Sequence, residues 1–180
     1  MAETAARGII MLGANGSGKS ALGRELARLL GFAHFDVENY WFYESDLPYT
    51  SVRPAEERNE MLLTDMKKYG SFVVSGDVSG WGGGFQDMFS VAIYVTAPKE
   101  IRMKRIEERE YARWGKRTLE GGDMYESRRD FIEFAASRDI SEFERRISAY
   151  SCPVIRIEST QDCRLTAEHI VKRIVAENYF

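Results

Sequence analysis

The segment GANGSGKS, Gly13 to Ser20, follows a short apolar run and opens a stretch of helical periodicity. Gly13, Gly18, Lys19 and Ser20 fall at the spacing G-x-x-x-x-G-K-[ST]. Glycines at these positions let the backbone curl so that successive N–H groups point inward, at the positive end of the helix that begins near Lys19. A side chain at Gly16 or Gly18 would block that approach. Residues Gly13, Ala14, Asn15, Gly16, Ser17, Gly18, Lys19, Ser20 and Ala21 are therefore expected to wrap a polyphosphate. Lys19 would reach the β- and γ-phosphates, and the Ser20 hydroxyl is a hard oxygen donor suited to Mg²⁺. The pattern implies ATP and Mg²⁺ as ligands. GSGKSA also fits the dinucleotide fingerprint G-x-G-x-x-A, with Asp36 about twenty residues on. That fingerprint wants its first glycine at the strand end and leaves Lys19 and Ser20 without a role.

A strand, a glycine turn and a helix in succession define the start of an α/β sheet, and the rest of the chain keeps that alternation. GIIML (8–12), FAHFD (32–36), SFVVS (71–75), VAIYV (91–95) and PVIRI (153–157) read as strands buried on both faces of a parallel sheet. Leu22, Leu26 and Leu29 recur at helical spacing before Gly31, which is placed to stop the first helix. Further helices are expected to start near 54 and 98, at Pro54 and Pro98, and near 124 and 142. There Asp123 with Glu126, and Ser141 with Glu144, have capping-box spacing. A last helix, Leu165 to Ala176, would bury Ile170, Val171, Ile174 and Val175. At 180 residues the chain is read as one domain with one layered core.

The 25 basic and 28 acidic side chains leave a formal charge of −3, so no global positive field favours a nucleic-acid partner. Cys152 and Cys163 are too few for a disulfide framework, and free buried thiols suit a reducing compartment. His34 and His169 lack metal partners at ligand spacing and read as structural. MAETAARGII lacks the features of a signal peptide, and no apolar run reaches membrane-spanning length. The expectation is a soluble cytoplasmic protein, monomer or homodimer, with no membrane partner. The chain has no N-K-x-D to read a guanine base, so a switch GTPase does not fit.

The phosphate-loop helix, the following short strand and the D-x-[DE] of Asp36 and Glu38 resemble shikimate kinase and, more broadly, the adenylate-kinase-like nucleotide and metabolite kinases. The resemblance implies a three-layer α/β/α fold with a five-stranded parallel sheet in the order 2-3-1-4-5. It also implies transfer of the γ-phosphoryl group of ATP to a small-molecule acceptor. Asp36 would support magnesium and Glu38 would bind acceptor hydroxyls. Carboxylates at the end of a parallel strand also lie where such sheets bind ligands, although Asp36 can equally cap the next helix. The family has aspartate where this chain has Glu38, which points away from shikimate itself.

SGDVSGWGGGF resembles the family's third strand and acceptor-side glycine loop. Asp77 would be a strand-end acid near magnesium or the acceptor base, and Gly82 and Gly83 would hold an anion or belong to a merely flexible loop. The loop lacks the acid, glycine and proline-arginine features of adenylate kinases. Tyr40, Trp41, Phe42, Tyr43 and Tyr49, with Arg53, fall in the inserted acceptor-side segment, about 38–68. They either clamp a base or ring or serve ordinary packing.

Arg102, Arg105, Arg109, Arg113 and Arg117 recur every three or four residues, making one basic stripe on a helix. Such a stripe is either a solvated face relieved by Glu107, Glu108 and Glu110, or a catalytic surface. The resemblance selects the second, with Arg109 and Arg113 in a lid, about 109–125, that closes over the nucleotide. Arg138 is a further candidate for the acceptor. The competing function is a nucleotide-binding regulatory NTPase without a small-molecule acceptor.

Overall fold

The computed structural model describes residues 7–180; the reading of Met1 to Ala6 lies outside them. β1 (Arg7–Leu12), β2 (Ala33–Asp36), β3 (Ser71–Ser75), β4 (Val91–Thr96) and β5 (Val154–Glu158) pair in parallel. They form one five-stranded sheet in the order β2-β3-β1-β4-β5, as expected. The chain leaves β1 toward β2 on one side, and the later β3-to-β4 connection crosses to the other. The carboxyl end of β1 therefore opens into the crevice created where the winding reverses.

β1 shows why the apolar runs are continuous. Ile9 and Met11 face one side of the sheet and Ile10 and Leu12 the other, all four with no exposed surface. On the first side they meet Leu22 and Leu26 of α1 (Lys19–Leu30) and Ile170 and Ile174 of α7 (Cys163–Ala176). On the second they meet Leu62 and Met66 of α3 (Ala55–Tyr69) and Phe143 and Ile147 of α6 (Ser141–Ile147). Burying one such side chain is worth about 1.5–3 kcal/mol, so two opposed faces fix the register of a strand only six residues long.

The remaining helices are α2 (Val37–Trp41), α4 (Lys99–Trp114) and α5 (Tyr125–Ser137). Gly31 ends α1, its N–H donating to the Ala27 carbonyl, and Pro54 and Pro98 sit immediately before α3 and α4. The two expected capping boxes are not formed. Met124 and Ile140 occupy the cap positions without a side-chain cap bond. Asp123 instead pairs with Arg117, and the Asp139 carboxylate takes both the backbone N–H and the hydroxyl of Ser141. α7 starts at Cys163, earlier than expected, because Asp162 accepts the N–H groups of Arg164 and Leu165. Val175, expected inside, is 70% exposed, since the buried stripe of α7 runs through Ala167, Ile170 and Ile174. The two thiols are only partly buried. Among the described residues no helix is long and apolar enough to cross a membrane.

Candidate functional site

The turn from β1 into α1 is held open by its glycines. Gly16 has φ +78°, and a Cβ there would come 2.4 Å from the Arg102 carbonyl oxygen; at Gly13 it would come 2.2 Å from that of Val95. The loop is fastened from behind by two arginines of α4. Arg102, buried to 4% exposure, donates to the carbonyls of Asn15 at 3.2 Å and Ala135 at 3.4 Å. Arg105 donates to the Ser17 carbonyl at 3.1 Å and the Ser159 carbonyl at 2.7 Å, tying the loop to the segment after β5. The Asn15 and Ser17 carbonyls thus turn onto guanidinium groups, while the Ser17 N–H donates to the Ala14 carbonyl at 3.1 Å within the turn.

That cavity, a cleft of about 580 Å³, is lined by Gly16, Gly18, Lys19, Ser20 and Ala21 from the loop. Asp36 and Glu38 border it from the end of β2, and Arg24, Arg105, Arg109 and Arg113 complete its walls. Gly13, Ala14, Asn15 and Ser17 shape the turn from beneath and do not line it. Five cationic side chains thus border it with two carboxylates, and even with Arg109 discounted for its ion pair with Glu110 a surplus of positive charge remains in one concave space. The Lys19 ammonium has no hydrogen bond or ion pair among the described residues. Burial pushes it below the ordinary lysine range; Glu38 and Asp36 oppose that shift, and Arg109 and Arg138 add to it. Asp36 combines both roles weighed for it: it borders the cleft and also accepts the Glu38 N–H at 3.2 Å as the cap of α2.

The arginine stripe divides by depth. Arg102 braces the loop from behind, Arg105 both braces it and borders the cleft, and Arg109 and Arg113 reach the cleft. Glu110, one of the glutamates read as relieving a solvated face, is instead buried and accepts from Arg109 at 2.9–3.0 Å. Arg113 donates to the Tyr49 hydroxyl at 2.8 Å and Arg117 to the Asp46 carbonyl at 3.0 Å. The end of α4 and the turn after it are thereby clasped to the loop that follows α2. Arg138 donates to the Asn15 side-chain carbonyl at 3.1 Å, under the phosphate loop.

Four further sequence candidates lie outside this cleft. Asp77 accepts from Arg146 at 2.8 Å, Tyr150 at 3.1 Å and the Ser79 N–H at 2.9 Å, and it borders none of the clefts described here. Burial by itself would raise its carboxyl; Ser79, Arg146 and Tyr150 outweigh that and hold it below the usual carboxylate range. Arg53 is spent on the Tyr40 carbonyl at 3.0 Å and Glu57 at 3.0 Å, and lines a second cleft rather than the first. Gly82 and Gly83 are exposed and border neither cleft. The sequence reading missed Arg24 as a wall of the cleft; its spacing of four from Ser20 along α1 was the available signal. It also missed Arg105 as a brace, hidden among arginines of identical periodicity. Of the aromatic group, Tyr40 and Trp41 pack inward, Tyr40 against Asp65 and Trp41 against Trp81. His34 bonds the Ser75 hydroxyl at 2.9 Å, and His169 is exposed on α7.

A pH test follows from Asp77. A carboxyl held below its unfolded value contributes stability above that value and loses it as pH falls through the folded one. Asp77→Asn is expected to lower stability by about 1–2 kcal/mol near neutrality, the exposed side of Arg146 limiting the effect. It should also flatten the acid limb of a melting-temperature profile, with ATP binding unchanged. An unchanged acid limb would contradict the placement.

The sequence pattern of the AAA domain family matches residues 9–129, which spans the phosphate loop, Asp36, Glu38 and the arginines of α4. The chain is 34% identical over 165 residues to the uncharacterized protein YqaC of Bacillus subtilis (strain 168), covering 87% of this chain and 90% of that one. It is 28% identical over 108 residues to shikimate kinase 2 of Dickeya chrysanthemi, covering 55% of this chain and 62% of that one. Among solved structures, a shikimate kinase from Bacteroides thetaiotaomicron superposes with a TM-score of 0.59 at 17% identity, over 97% of this chain and 99% of that one. The chain belongs to the AAA domain family of P-loop proteins, and its fold is that of the shikimate-kinase-like group.

Proposed function

We propose that the protein is an ATP- and Mg²⁺-dependent phosphotransferase that moves the γ-phosphoryl group to the hydroxyl of a small acceptor. The observation that carries this reading is the cleft at the amino end of α1, where five cationic side chains converge around two carboxylates. A polyphosphate is the ligand that such a surplus of positive charge at a helix amino end suits. Solved shikimate kinases and a gluconokinase from Sinorhizobium meliloti 1021 share this fold, which supports the same class of reaction.

In this reading Gly13 to Ala21 cradle the phosphates, and Lys19, Arg109 and Arg113 neutralise charge that builds on the transferred group. Ser20 and Asp36 are oxygen donors bordering one cleft, a donor type that fits Mg²⁺, and they would hold it. Bound there, the ion would supply charge neutralisation and orientation of the phosphate oxygens. The acceptor oxygen forms a bond to the γ-phosphorus as the β–γ bridging bond breaks, its electron pair leaving with ADP. The hydroxyl proton passes to Glu38, the carboxylate of the cleft that is not assigned to the metal. Arg138 steadies the loop through Asn15 and borders neither cleft, so it holds no acceptor in this reading. Residues 109–125 act as a lid, and their clasp on Tyr49 and Asp46 excludes water from the transfer.

Acceptor-dependent formation of ADP, measured with labelled ATP, Mg²⁺ and a panel of nucleosides, nucleotides, sugars and hydroxy acids, is the direct test. At least one acceptor is expected to receive label. Hydrolysis unchanged by every acceptor would overturn the reading in favour of a regulatory NTPase.

A further inference from the structure

Beside the phosphate cleft lies a second, larger one of about 850 Å³, within the size range of small-molecule sites. The two are continuous, because Arg24, Asp36, Glu38 and Arg113 border both. Resting on the phosphotransferase reading, we infer that the second cleft is the acceptor site and that the acceptor is an uncharged nucleoside.

Its walls carry the argument for a flat ring. Phe42, Tyr43, Tyr49 and Trp114 all border it. Phe42 and Tyr49 meet edge to face, with centroids 5.4 Å apart at 77°, forming a corner of aromatic surface. Tyr49 is held at φ +65°, a left-handed conformation uncommon for an aromatic residue, and its hydroxyl is fixed by Arg113. Such strain is maintained by surrounding contacts and concentrates where a side chain must be aimed at a ligand.

Polar groups at the same walls want partners with two-sided hydrogen-bonding capacity. The Trp114 indole N–H is buried without a hydrogen-bond acceptor. The side chains of Asn39 and Glu44 also border the cleft and make no hydrogen bond or ion pair among the described residues. A heteroaromatic base offers ring nitrogens or carbonyls to the indole and exocyclic donors to the carboxylate and amide. A plain sugar or hydroxy acid would leave the aromatic corner empty.

Charge separates a nucleoside from its phosphate. Arg53 is already neutralised by Glu57 at 3.0 Å. That leaves Arg24 and Arg113 against Asp36, Glu38 and Glu44 in this cleft, with no positive surplus for a second phosphate group. The surplus lies entirely next door. A ribose hydroxyl directed at Asp36 and Glu38 would face the phosphate cleft, the orientation that transfer requires.

Calorimetry in the presence of a non-hydrolysable ATP analogue tests this with a nucleoside panel, the matching monophosphates, and non-aromatic sugars and hydroxy acids. A nucleoside is expected to bind, its monophosphate at least several-fold more weakly. Tyr49→Ala should weaken nucleoside binding by about tenfold through loss of the aromatic contact. Trp114→Phe, which keeps a ring and removes the N–H, should weaken it several-fold, and thermal melts of both variants report whether they remain folded. Tighter binding of monophosphates, equal binding of non-aromatic acceptors, or no nucleoside binding would each overturn the assignment. Transfer of label to a non-aromatic acceptor would do so while leaving the phosphotransferase reading intact, whereas failure to bind ATP would sink the latter.

Discussion

Lys19→Met is expected to reduce phosphoryl transfer by about 10³-fold while the melting temperature of the ligand-free protein stays the same or rises. The two effects have one cause. The ammonium is desolvated where it borders the cleft and has no hydrogen bond or ion pair among the described residues, so the folded protein bears its charge at a penalty when no anion is present. Methionine fills similar volume and removes that penalty together with the charge that would meet the phosphates. Linkage gives the sign with pH. A lysine whose folded pKa lies below its unfolded value binds fewer protons when folded, so ligand-free stability rises as pH climbs through the interval between them. Over the same interval wild-type ATP affinity should fall, because the neutral amine no longer attracts phosphate. The methionine variant should lose both dependences. Single-turnover transfer, calorimetry and melting curves across pH measure all of this, and transfer within tenfold of wild type would remove Lys19 from the mechanism.

The sequence revealed the fold and the phosphate loop more fully than the acceptor side, and the reason is the range of the interactions involved. The loop and the five strands are written in contiguous residues, where glycine placement and unbroken apolar runs have local physical causes. Asp77 shows the limit. As a strand-end acid it was chemically eligible, but Arg146 and Tyr150, some seventy residues later, claim its oxygens, and nothing in the spacing announces that. Arg102 and Arg109 are equivalent by periodicity and differ only because the carbonyls of Asn15 and Ala135 lie over one of them. The capping boxes failed for a similar reason: Asp123 had a stronger nearby cation in Arg117 than the N–H groups it was expected to cap. The second cleft needed segments from α1, β2, the loop after α2 and the end of α4 to be brought together, so no window of sequence contained it.

Gly16→Ala should abolish tight ATP binding, with a loss of about 100-fold or more, and the comparison with Gly82→Ala isolates why. Both glycines have nearly the same backbone conformation, φ +78° and φ +74°. An alanine at either position therefore carries the same left-handed strain, about 1–2 kcal/mol. Their surroundings differ. At Gly82 a Cβ meets nothing within 4 Å, whereas at Gly16 it lies 2.4 Å from the carbonyl oxygen of Arg102. That oxygen belongs to a residue whose own guanidinium grips Asn15, so neither side of the contact can move without releasing the loop. Gly82→Ala is thus expected to lower stability slightly and leave ATP affinity unchanged, which also agrees with its position away from both clefts. Gly16→Ala should lose more stability and lose the nucleotide as well. Equal effects of the two substitutions on ATP binding would mean that the loop tolerates displacement, and that its close fit against α4 does not set the geometry of the phosphate site.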